Sequence, residues 1–423
     1  MKRIIDALTA NQQVSDYKIT ENKCKSYQLF FVKGKLETVR TADTRDIQVT
    51  VYVDHGEFKG DSSFLVYPST TVEDLARLVE EAVQKALLIQ NKTYTLPTAE
   101  TGSYSVESNF EGKALPELAE MIARNVFAAN TLENANLNSV EVFVNRYTDR
   151  VCNSRGIDKT QTRYDAMVEA IPTYNGEAQS VELYQQYNFA SLDEVQIQAE
   201  ISEKLRDVKA RYEAVTPEKI ENCAVILNKQ ELSELCQNIV GDLNYGTVYA
   251  RAGLFHKGDV IQKDPTGDKL NITMAGELPG NIRSAKFDGD GMAMRSISVV
   301  EDGVAVNYYG ANRFGQYLGE TPTGNLRCML VSPGSACNCL KKPPYLEVVS
   351  MSGLQVDTFN DYIGGEVRLA YYHDGEKLRP VTGISITGKL SAVLSAIRFS
   401  QETGVYDGYN GPVKAILKGM KVF

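Results

Sequence analysis

The chain has 423 residues, of which 43% are hydrophobic and 23% charged, and its formal net charge is −9. An acidic surface repels phosphate backbones, which argues against direct nucleic-acid binding. No apolar run approaches the ~20 residues needed to cross a bilayer. The opening MKRIIDALTANQQ lacks the apolar core and small-residue cleavage site of a secretory leader, so the expectation is a cytoplasmic protein without a membrane partner. Seven scattered cysteines fit reduced thiols better than a disulfide framework. The length calls for two domains.

In chain order, residues 2–12 read as a short helix, followed by strands at 27–31, 35–40 and 47–54. A capping box of Thr70 and Glu73 opens a helix whose apolar positions are Leu75, Leu78, Val79, Ala82, Val83, Ala86 and Leu87. The polar, breaker-rich stretch 91–113 reads as a long loop. A second helix starts near Leu115 with Pro116 in its first turn. Strands at 139–144, 150–154, 166–172 and 179–187 lead to a third helix, opened by Ser191 and Glu194 and running to about 212. Meander followed by helix thus occurs twice, the pattern of an internal duplication.

The character changes near Val215-Thr216-Pro217, which places a boundary between a domain of residues 1–215 and one of residues 216–423. The fold class expected is α+β. Its first domain is an antiparallel sheet with long helices, and its second is a β-rich sandwich or barrel-like unit with a helix from about Lys229 to Val240 and hairpins at 301–303 and 373–375.

The stretch 286–325 carries most information. Phe287-Asp288-Gly289-Asp290-Gly291 crowds two carboxylates into one glycine-rich turn. Arg295 follows, then a hairpin around Glu301-Asp302-Gly303, then Thr323-Gly324-Asn325. Taken in this order, the motifs resemble the TldD/PmbA family, long called modulators of DNA gyrase. The likeness extends to FVKGKLETV at 31–39, Asn153-Ser154-Arg155-Gly156, Ser352-Gly353 and Gly364-Gly365-Glu366.

The resemblance implies a zinc-dependent peptidase system of two kinds of subunit. One, TldD-like, supplies an HExxxH helix and a late cysteine as ligands; the other, TldE/PmbA-like, lacks them and pairs with it. Two imidazoles little more than a turn apart on a helix converge on one cation, and the intervening glutamate activates its water. Here the only histidines are His55, His256 and His373, too far apart to share a helix. The helix in the corresponding place reads NKQELSELCQNIVGD, and Tyr406 in Gly404-Val405-Tyr406-Asp407 stands where the late cysteine belongs.

The expectation is therefore a TldE/PmbA-like subunit with no catalytic or metal-ligating residue and no cofactor of its own. It would pair with a zinc-bearing TldD-like subunit, or with itself, to process peptides. A gyrase-directed binding protein without proteolysis, and a peptidase with a different metal site, are the alternatives. Asp288, Asp290, Arg295 and Asn325 are the residues expected to meet peptide or partner, because charged groups in glycine-rich turns can approach a ligand closely.

Other motifs are set aside. Val299 occupies the twelfth position of a calcium loop begun at Asp288, where glutamate is needed. Leu390 replaces the serine or threonine that would complete a P-loop at 383–389. Cys337 and Cys339 form a Cys-x-Cys pair without a further cysteine pair or histidine nearby to complete a tetrahedral site.

Overall fold

The computed structural model describes residues 1–335 and 342–423; Cys337 and Cys339 lie outside the described residues. The N-terminal half is built on one sheet in the order Phe58–Val66, Lys35–His55, Asp16–Val32, Ala135–Asn153, Asp158–Asn175 and Thr101–Ser105. The first five of these strands pair antiparallel, and Thr101–Ser105 joins parallel to Asp158–Asn175. Short strands Ser180–Glu182 and Gln185–Phe189 also pair with Asp158–Asn175.

Apolar side chains of one sheet face are covered by helices. Lys2–Ala10 and Val72–Ala86 bury Ile19, Val49, Val51 and Val53. Leu115–Ala128 and Glu194–Glu213 cover Leu29, Val142, Val144 and Val168. Helix, antiparallel meander and helix occur twice along this half, with three strands between the first pair of helices and four between the second, because the last partner of Asp158–Asn175 is split into Ser180–Glu182 and Gln185–Phe189.

The differences lie in element ends and lengths. Thr71, not Thr70, caps Val72–Ala86: its Oγ1 accepts from Asp74 N at 3.0 Å while Asp74 Oδ2 accepts from Thr71 N. Thr70 instead accepts from Tyr67 N. Asp193, not Ser191, caps Glu194–Glu213 through Gln196 N. The 91–113 loop contains the strand Thr101–Ser105.

In the C-terminal half, a six-stranded and a nine-stranded sheet close on one continuous core, with Val225, Leu227 and Leu346 from the larger sheet against Ile272, Val299 and Val331 from the smaller. The helix Lys229–Asp242 is buried with them through Leu232, Leu235, Cys236 and Ile239. The expected hairpin at 301–303 is present, and positive φ at both Asp302 and Gly303 is the two-residue turn that suits strand twist. Its return strand is only Val304–Ala305. The mixed α+β class is as read.

Candidate functional site

The uncovered face of the N-terminal sheet presents Lys18, Val151, Lys159 and Gln161 to the turn 287–291. Gln161 Oε1 accepts from Lys286 N at 2.8 Å, and Lys18 Nζ meets Asp290 Oδ1 at 2.5 Å. Phe287 is buried against Val151 and Ile157, and the ammonium of the buried Lys159 sits over its ring. Gly291 has φ +80°, and a Cβ there would lie 2.6 Å from Ile157 Cγ2. The glycine is required both by its backbone angle and by this close approach.

Asp288 organises the turn from within. Its Oδ1 accepts from the backbone N–H of Asp290 and Met292, and its Oδ2 from that of Asn325. Burial and then the neighbouring Asp290 charge push its pKa up, while the three N–H donors pull it back. Arg295 N donates to Thr323 O, and Thr323 Oγ1 accepts from Gly310 N. The motifs at 287–291, 295 and 323–325, separate in sequence, are thus laced into one unit.

Of the four expected contact residues, Asp288 is committed to turn N–H groups and Asp290 to Lys18, while Asn325 is tied to Asp288 through its backbone N–H alone. Arg295 differs. It is exposed, and among the described residues its guanidinium has no hydrogen-bond, ion-pair or ring partner.

Arg295 borders a cleft of about 400 Å³ between the two halves, lined on one side by 95–98 and Glu100 and on the other by 291–293, Asn312 and Gln316. The first wall is held by the Asn153-Ser154-Arg155-Gly156 motif. Asn153 Oδ1 accepts from Arg155 N and Ile157 N, while its Nδ2 donates to Pro97 O. Arg155 and Ser154 bind Asp16, which also pairs with the buried Lys59 at 2.9 Å. Burial raises the Asp16 pKa, but donors from Arg155, Ser154 and Lys59 outweigh it and hold the carboxyl below its ordinary range. The other wall grips Thr95 through Asn312 Nδ2 and Gln316 Nε2, both 2.8 Å from Thr95 O. The sequence reading missed this wall. Its polar 91–98 segment gave no periodic signal, and its partners lie more than 200 residues away.

The positions that the family resemblance assigns to metal lie elsewhere, where Lys229–Asp242 meets the strand Thr403–Tyr406. They do converge: Tyr406 is shifted upward by burial and then by the charges of Asp407, Glu231 and Glu234. The donors do not suit zinc: the helix has no histidine, and Tyr406 offers a phenol. Cys236 is packed into the apolar core, where burial pushes its thiol up to about 12 and its neighbour is Tyr409, not Tyr406. Burial also pushes Glu231 to about 7, and among the described residues its Oε2 has no hydrogen-bond partner. His55 meets the backbone carbonyl of Ile89, and His256 and His373 each contact a backbone group two residues away. No group of three His, Cys, Asp or Glu among the described residues forms a metal cage.

Two domain models of one metallopeptidase family match the chain: the PmbA/TldA metallopeptidase C-terminal domain over residues 220–422, and domain 1 over residues 18–86. No curated protein matches in sequence. Among solved structures, TldE from Thermococcus kodakarensis is similar with a TM-score of 0.80 at 14% identity, covering 100% of this chain and 99% of its own. A candidate modulator of a DNA gyrase from Thermotoga maritima gives 0.77 at 15%, with 100% of both chains covered. A candidate gyrase modulator from Bacteroides thetaiotaomicron gives 0.78 at 13%, covering 100% and 97%. At such identities the likeness speaks for the fold, while the two domain models, which together span more than half the sequence, speak for descent: the chain belongs to the PmbA/TldD metallopeptidase family.

Proposed function

We infer that the chain is the TldE/PmbA-like, ligand-less subunit of a two-subunit metallopeptidase. It holds peptide while a TldD-like partner provides zinc and the activated water. The observation that carries this reading is the junction of Lys229–Asp242 with the strand Thr403–Tyr406: where the family's peptidase chemistry would need two histidines and a cysteine, the helix has no histidine and the strand offers a phenol. What its own residues contribute is a shaped cleft between rigidly laced halves, with a free cation at the edge. The chain's acidity argues against contact with DNA itself.

The test is zinc content and hydrolysis of an unstructured peptide by the purified chain, alone and mixed with an HExxxH-bearing partner. The chain alone should carry no stoichiometric zinc and cleave nothing, and the mixture should hold zinc and cleave the peptide. Zinc held by this chain alone, or cleavage by it alone, would overturn the reading. Capture of gyrase without the partner would favour the binding-protein alternative.

A further inference from the structure

The cleft beside Arg295 has a pronounced charge asymmetry. Glu100, the acid on its wall, is engaged by Lys159 Nζ at 2.5 Å, and that lysine, only 1% exposed, has no other carboxylate partner among the described residues. Asp290 is engaged by Lys18, and Asp288 faces inward to N–H groups. The amides of Asn312 and Gln316 are occupied with Thr95 and each other. The charged group that remains uncompensated is the Arg295 guanidinium; the Thr95 and Thr98 hydroxyls also have no partner among the described residues. Between them the lining is apolar: Leu96, Pro97, Ile157, Met292 and Ala293.

One planar, five-donor cation beside an apolar floor selects a ligand with a single two-oxygen anion adjoining an apolar group. A phosphate dianion would call for further cations, and the chain is acidic overall. We propose that this cleft receives the C-terminal end of a peptide, Arg295 binding its free carboxylate and the 96–97 and 292–293 lining taking the apolar side chain of the last residue. The volume suits a terminal dipeptide and not a folded protein. This assignment rests on the peptide-binding reading and adds a polarity to it: substrates or products would be anchored by their carboxyl end.

The chain supplies its own reporter. Met292 lines the cleft, and there are nine methionines to resolve. With methyl-labelled methionine, the Met292 signal being assigned by Met292→Leu, the protein is titrated with N-acetyl-Leu-Leu and with the same dipeptide as its C-terminal amide. The free acid should move the Met292 signal and bind at least ~5-fold more tightly than the amide, the scale of an ion pair at an exposed cation. Arg295→Gln should erase that preference, and Ala293→Leu should abolish the Met292 response to both probes. The proposal fails if both probes bind Met292's surroundings equally, if Arg295→Gln leaves the preference intact, or if millimolar probe leaves Met292 unmoved while the protein is folded by circular dichroism. Because the titration uses this chain alone, its failure leaves pairing with a zinc-bearing partner standing, and failure of pairing leaves a positive titration standing.

Discussion

Two buried carboxylates, both raised in pKa by burial, sit in contrasting surroundings. Asp288, in the turn where the halves meet, accepts three backbone N–H bonds. Glu231, in the helix under Tyr406, has an oxygen with no partner among the described residues. The first is a keystone: its acceptors fix the 287–291 turn and join it to Asn325. The second is a buried acid whose charged form the fold tolerates poorly. Acidic residues in a glycine-rich motif are therefore poor guides to ligand contact, since such turns use their carboxylates on their own backbone. The group left over, Arg295, is the one with chemistry to spare.

A third carboxylate sets the upper end of the comparison. Asp16 is 3% exposed and meets Lys59, Arg155 and Ser154. Asp16→Ala leaves Lys59 buried with only the half-exposed Asp54 and should cost about 3–5 kcal/mol in urea unfolding. Asp288→Ala strands three N–H donors and should cost about 3 kcal/mol. It should also loosen the 287–291 turn, detectable as faster amide exchange at Met292 and Asn325. If Asp288→Ala cost nothing, the keystone role would be wrong.

The contrast also shows what the residues disclosed in advance. The helices were legible because their apolar stripes are covered by one sheet face, and the error at Val72–Ala86 was a single residue, Thr71 for Thr70. The sheet was read in fragments. Ala135–Asn153 runs unbroken for 19 residues, but its 145–150 stretch carries Asn145, Arg146, Tyr147, Asp149 and Arg150, which sit against polar neighbours such as Asp165, Arg163 and Asp158 and so break apolar alternation. The turn motif was conspicuous, yet its purpose was hidden. Lys18, which occupies Asp290, lies 272 residues away, and nothing local announces such pairing. That the Arg295 guanidinium has no partner among the described residues is a fact about its neighbours, not about its own sequence.

Glu231 gives the finest test, through pH. Its folded pKa of about 7 exceeds the ordinary 4.5, so the folded chain binds more protons than the unfolded chain between those values. Stability from this group is then greatest below about 4.5, falls as pH climbs, and reaches its full penalty above about 7. The shift corresponds to about 3 kcal/mol at most. Glu231→Gln removes the charge while retaining a polar head that must still be buried, so the variant should gain about 1–3 kcal/mol above pH 7 and nothing near pH 4. Denaturant midpoints measured across that range should show the wild-type curve declining toward neutrality and the variant curve lying flatter. A uniform offset at every pH would mean that the substitution acts by packing. A loss of stability above pH 7 would mean that the ionised carboxylate is held by a partner after all, and the difference drawn between Asp288 and Glu231 would close.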